Sequence, residues 1–114
     1  MSENYVERAK QIDLNNRAMF KAAPDAMQGY VGMIKAVNSD GALDTKTKEL
    51  MALSIAVALH CEDCLIFHAR AAHREAASRE EVAEAISVAI QMGGGPAAVY
   101  GGKALAAFDQ FAAA

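Results

Sequence analysis

Apolar residues recur along this chain at helical spacing, with little of the strict alternation that marks a half-buried strand. Between Glu3 and about Phe20, Val6, Ala9, Ile12 and Met19 share one stripe, and Glu7, Arg8, Lys10 and Arg17 take the remaining surface. Pro24 suits the first turn of a second helix carrying Met27, Tyr30, Val31, Ile34 and Ala36, which the series Asn38, Ser39, Asp40, Gly41 breaks. Asp44 is a candidate N-cap for a third helix, Thr45 to about His60. There Leu50, Met51, Leu53, Ile55, Val57 and Leu59 occupy nearly every side, a pattern that predicts a helix buried all round. Cys61 to about Ala77 is helical by composition, and the pattern leaves open whether it is a separate helix or a kinked continuation of the third. Ser78 and Glu81 form a capping box opening a fifth helix, with Val82, Ala85, Ile86, Ala89 and Ile90 inward. The run Gly93, Gly94, Gly95, Pro96 stops it as a tight turn, and a last helix runs from about Ala97 to Phe111. The expected architecture is all-α, a compact bundle of about six helices joined by short connections.

Composition agrees. The 114 residues suit one domain spanning the whole chain. Twenty-six alanines, two prolines and no tryptophan favour helix over strand. Five methionines, Met19, Met27, Met33, Met51 and Met92, read as core filler, and Tyr100, Phe108 and Phe111 as a core or interface stripe. A net charge of −3 without a basic cluster argues against a nucleic-acid partner. The polar N-terminus lacks a signal-peptide core, and the longest apolar run is far short of the roughly 20 residues that span a bilayer. No membrane association is expected, and the cytoplasm is the default compartment. There, two cysteines serve redox, catalytic or metal chemistry more often than they staple a fold.

Cys61 and Cys64 form a CxxC pair, with His68 four residues beyond the second cysteine. In the first turns of a helix these positions share a face. A thiol there feels the positive end of the helix dipole, which favours the attacking thiolate. His68 is placed to act as base for Cys64, and Cys61 to resolve a sulfenic acid on Cys64 by closing a disulfide. Glu49, an acid in an otherwise apolar helix, is the candidate partner that orients the imidazole. Its position near a helix start is also one where acids are favoured for the dipole alone.

The string Glu49, eleven residues, Cys61, two residues, Cys64, three residues, His68 resembles the active-site signature of the alkylhydroperoxidase D-like branch of the carboxymuconolactone decarboxylase superfamily. The segments GALDTKTKELMALSIAVALHCEDC, EEVAEAISVAIQMGGGPAAVY and ALAAFDQF are similar to single-domain members. The resemblance implies an all-α fold with the cysteine pair at a helix start, Cys64 attacking peroxide, Cys61 resolving, and Glu49 and His68 as proton relay. It implies a thiol-dependent peroxidase or disulfide reductase with no metal or flavin of its own, reduced by an external dithiol such as a lipoylated protein. Homo-oligomers, often trimers or hexamers, are typical of small members.

One position departs from that pattern. Asp63 stands where the best-known peroxidase of the branch has a histidine, and with Glu62 it sets an anionic field that disfavours a thiolate. His60, beside Cys61, is an auxiliary candidate for the missing imidazole, or simply a partner for the helix end. His73 falls on another face and is expected in solvent. Arg70 and Arg74 share a face, suited to steering an anion or to plain solvation. Three other readings compete: zinc held by Cys61, Cys64, His68 and either Glu49 or His60; a lactone decarboxylase, although those branches lack the CxxC; and a non-catalytic oligomeric module with inert thiols. Alanine-rich faces and an all-round apolar third helix also point to packing between subunits.

Overall fold

The computed structural model describes residues 3–114. They form six helices: α1 Tyr5–Ala22, α2 Pro24–Asn38, α3 Thr45–Ala58, α4 Glu62–Arg74, α5 Arg79–Gly93 and α6 Gly95–Ala113. No strand occurs among the described residues. Each start has a local cause. Asn4, Asp44 and Ser78 accept backbone N–H groups of α1, α3 and α5 through their side chains, and Ser78 and Glu81 complete the reciprocal capping box. Pro24 opens α2 in the first turn, where its missing N–H costs nothing.

The breaks around α4 share one device. His60 N–H donates to Val57 O and Cys61 N–H to Ala56 O, the paired bonds of a Schellman ending, with His60 at φ 57°. Ala76 repeats it at the far end: its N–H reaches His73 O, Ala77 N–H reaches Ala72 O, and Ala76 has φ 63°. So α4 is a separate helix, and it begins at Glu62 with Cys61 as its N-cap. The glycine run ends α5 through Gly94 at φ 71°, and α6 starts at Gly95, two residues before the sequence pattern placed it.

The core is the junction of α3, α4, α5 and α6, closed on one side by α1. Leu53, Val57, Leu65, Ile66 and Val82 are its largest fully buried side chains. Of nineteen buried apolar residues, ten are alanine, which lets helix axes approach closely. Closest of all is Gly101 on α6, where a Cβ would sit 2.6 Å from Ile86 Cγ2. Phe108 and Phe111 fill the far end of the core, while Tyr100 is half-buried. Arg70 of α4 grips Asp13 of α1 with two hydrogen bonds of 2.7 and 2.8 Å, which hold the Asp13 carboxyl below its ordinary range. Arg70 is thus a structural tie and not a free anion-steering cation.

Two expectations fail here. The third helix is not buried all round: Met51 and Ile55 are exposed along one stripe of α3, which continues to Leu59. Met19, Met33 and Met92 are exposed as well, Met92 by 80%, so they are not core filler. Hydrophobicity alone does not say what covers a side chain, and the helices packed against α3, namely α2, α4, α5 and α6, leave one of its stripes open. The second helix buries no residue at all, and Tyr30, Met33 and Val37 lie open along it.

Two single substitutions test the backbone arguments in opposite directions. Gly101→Ala forces a methyl against Ile86 and should lower stability by about 1–3 kcal/mol despite its better helix propensity. Ala76→Gly relieves the left-handed turn and should raise it by roughly 0.5–1 kcal/mol. Chemical denaturation midpoints at fixed protein concentration read both, and a stabilised Gly101→Ala would refute the close α5–α6 approach.

Candidate functional site

The site lies where α3 ends and α4 begins. Cys61 belongs to both elements: its N–H closes the Schellman ending of α3, and its Sγ accepts the Cys64 N–H at 3.3 Å as the N-cap of α4. A sulfur stands where serine or aspartate normally caps. Cys61 and Cys64 are joined as a disulfide, with Cα atoms 5.2 Å apart. Cys61 is half-buried and Cys64 is exposed, so Cys64 is the more accessible residue of the pair.

Glu49 rises from the second turn of α3 and is the only buried charged residue among the described residues, at 5% exposure. Its Oε2 lies 2.9 Å from His68 Nδ1. His68 sits one helical turn beyond Cys64 on α4, half-buried, with its ring edge against Phe67. The carboxylate favours the tautomer with the proton on Nδ1, leaving Nε2 as the basic nitrogen. The dipole-only reading of Glu49 therefore fails, because the side chain is buried and engaged across helices.

Acidic residues between the cysteines are met from two other helices. Arg8 of α1 donates Nη2–H to Asp63 Oδ1 at 2.8 Å and Nη1–H to Glu62 Oε1 and, at 2.6 Å, to Glu3 Oε1. Lys103 of α6 donates to Glu62 Oε2 at 2.7 Å. Hydrogen bonds from Lys103 and Arg8 hold the Glu62 carboxyl below its ordinary range, and the bond to Glu62 raises Arg8 in turn. The anionic field expected from Glu62 and Asp63 is thereby largely offset. Arg8, read from the sequence as a surface charge, and Lys103 are the site residues that the sequence did not signal, since they lie 54 and 41 positions from Glu62.

The remaining histidines separate. His60 is exposed in the left-handed turn and stacks flat on Tyr100 of α6, with ring centroids 4.7 Å apart and planes within 5°. Lys103 Nζ lies 5.6 Å from the centre of the Tyr100 ring. His73 is exposed, as expected, and touches Phe108 edge-on. Among the described residues no group of three or more His, Cys, Asp and Glu side chains is disposed to hold a metal. The donors named for zinc are engaged otherwise, the sulfurs with each other and Glu49 with His68. Nor is any described helix long and apolar enough to cross a membrane.

An exposed disulfide at a helix start, with a carboxylate–imidazole pair one turn behind it, is equipped for proton-coupled sulfur chemistry. Comparisons with known proteins identify relatives of the chain. An uncharacterized protein of Cupriavidus necator is 42% identical over 109 residues, 96% of each chain. A protein of the cox locus of Paracoccus denitrificans is 38% identical over 90 residues, covering 79% of this chain and 81% of its own. Among solved structures, a carboxymuconolactone decarboxylase family protein from Legionella pneumophila in its apo form superposes with a TM-score of 0.92 at 39% identity, covering 96% of this chain and 98% of that one. A Thermotoga maritima family protein, for which involvement in an antioxidative response has been suggested, gives 0.79 at 27% identity, with 97% and 92% covered. Residues 24–110 match the family as a whole, and with these relatives beside the match the chain belongs to the carboxymuconolactone decarboxylase family.

Proposed function

We propose that this protein is a thiol-dependent oxidoreductase of the alkylhydroperoxidase D-like kind, reducing hydroperoxides or disulfides through Cys61 and Cys64. The observation that carries the reading is the Cys61–Cys64 disulfide at the start of α4 with the Glu49–His68 hydrogen bond beside it. In the reduced protein His68 Nε2 takes the Cys64 proton, and the thiolate attacks the terminal peroxide oxygen. The O–O bond breaks, the alkoxide takes the proton back from His68 and leaves as alcohol, and Cys64 becomes a sulfenic acid. The Cys61 thiol then attacks that sulfur, water leaves, and the disulfide closes. An external dithiol, such as that of a lipoylated protein, reopens it by two exchange steps and is itself oxidised. The suggested antioxidative role of the Thermotoga maritima relative supports this reading.

Two further features belong to the proposal. Apolar residues of α2, α3 and α5, among them Met33, Val37, Met51, Ile55 and Met92, are exposed, and a homo-oligomer, a trimer or hexamer, would cover such residues. A cytoplasmic location suits a dithiol that must be reduced again after each turnover.

Alkylation followed by mass analysis, before and after one equivalent of hydroperoxide, tests the chemistry. Both thiols should disappear together in the wild-type protein, and Cys61→Ser should stop at an over-oxidised or mixed-disulfide Cys64. Retention of two free thiols after peroxide defeats the mechanism. His68→Asn should slow thiol oxidation by about 10²–10⁴-fold. Glu49→Gln should slow it less and should displace the pH–rate profile, whereas equal rates in wild type and Glu49→Gln would remove the relay. For the assembly, light scattering coupled to size exclusion should return a multiple of the chain mass, and a monomer at micromolar concentration would contradict the covered surface.

A further inference from the structure

Between the cysteines stand two carboxylates, an arrangement that on its own opposes formation of a thiolate at either sulfur. Asp63 immediately precedes Cys64, the more exposed cysteine, and a carboxylate so close disfavours a second negative charge. The two acids are neutralised unequally. Among the described residues Glu62 has two cationic partners, Lys103 at 2.7 Å and Arg8, whereas the ion pair of Asp63 is with Arg8 Nη2 alone, at 2.8 Å.

The placement of Arg8 is built into the fold. One turn before it, Tyr5 is buried at 6% exposure, and its N–H donates to Gln110 Oε1 of α6 at 2.7 Å. Gln110 Nε2 in turn donates to Glu3 O at 2.7 Å. Ala9, the next residue, is 1% exposed in the core. The start of α1 is therefore fixed on both sides of the arginine, and its fork reaches across to the first turn of α4. A planar guanidinium can serve two carboxylates at once through separate nitrogens, which a single ammonium does less well.

We propose that Arg8 is a positioning residue of the thiol centre: by binding Asp63, which has no other cationic partner among the described residues, it cancels the acidic charge beside Cys64 and so permits the Cys64 thiolate. This rests on the reading of Cys64 as the reacting sulfur. The other groups around the pair are accounted for. From α3 comes Glu49, bonded to His68 of α4; from the connecting turn His60, stacked on Tyr100; from α6 Lys103, committed to Glu62; and from the N-terminal segment and α1 Glu3, on Arg8 itself, and Tyr5, raised first by burial and then by Glu62.

The test is the pH dependence of Cys64 alkylation by iodoacetamide in the full chain carrying Cys61→Ser, so that one thiol is read. Arg8→Gln should raise the midpoint by about half a unit to one unit, seen as roughly three- to tenfold slower alkylation below the midpoint. Arg8→Lys should restore part of the difference, and Asp63→Asn added to Arg8→Gln should restore nearly all of it. Lys10→Gln removes a cation from the same helix, paired with Glu7, and should leave the midpoint in place. An unmoved midpoint in Arg8→Gln overturns the proposal. So does a shift that survives Asp63→Asn, or one that Lys10→Gln reproduces. If Arg8→Gln does not fold, Asp63→Asn alone decides: with Arg8 left in excess the midpoint must fall, and an unchanged or higher value overturns the assignment. The alkylation readout needs no hydroperoxide. A chain inert to peroxide whose midpoint still follows Arg8 therefore refutes the peroxidase reading and leaves this one standing, while a peroxide-active chain with an indifferent midpoint does the reverse.

Discussion

The left-handed turn at His60 is the constraint on which the site depends. Without it α3 would run on, and Cys61 would be an interior helical residue with its sulfur far from any free N–H. With it, the chain reverses within one residue, and Cys61 finishes one helix and caps the next. A non-glycine residue at positive φ costs on the order of 1 kcal/mol, and here the His60 ring recovers part of that by stacking on Tyr100. The same reversal lays α4 against α3, so that the second turn of one helix, with Glu49, faces the second turn of the other, with His68. The carboxylate can be buried because the imidazole is there to receive it.

Two electrostatic arrangements meet at the cysteines and do different work. Behind them, inside the bundle, Glu49 and His68 form a short-range pair in which burial strengthens the hydrogen bond. In front, toward solvent, Arg8, Glu62, Asp63 and Lys103 form a network spread over three helices, in which each contact is individually weak and solvent-screened. In the proposed chemistry the inner pair would handle a proton, while the outer network would set the charge that an anionic sulfur experiences. Because the two are separate, a substitution in the outer network leaves the Glu49–His68 hydrogen bond without a lost partner.

Much of the site was legible in the sequence because it is local. The CxxC spacing, His68 one turn on and an acid stranded in an apolar helix all carry their meaning in short stretches, and Ser78 with Glu81 announces a helix start in four residues. What was illegible is equally physical. A Schellman ending is normally signalled by glycine, and here histidine and alanine take the left-handed positions, so the separation of α3 from α4 had no sequence mark. The exposed faces of α3 and the outlying methionines were misread because periodicity reports that a stripe is apolar and not whether this chain supplies its cover. Arg8 could not be assigned, since its meaning depends on a contact made between α1 and α4 after folding.

A core in which alanine outnumbers every other buried residue also has a consequence for how such a sequence can change over time. An alanine cannot lose volume except by becoming glycine, and almost any other replacement must enlarge it where helix axes already nearly touch. Accepted variation is therefore driven outward, onto the polar faces and the open apolar stripes. Lineages descended from this chain are free to alter what they bind long before they can alter how their helices meet.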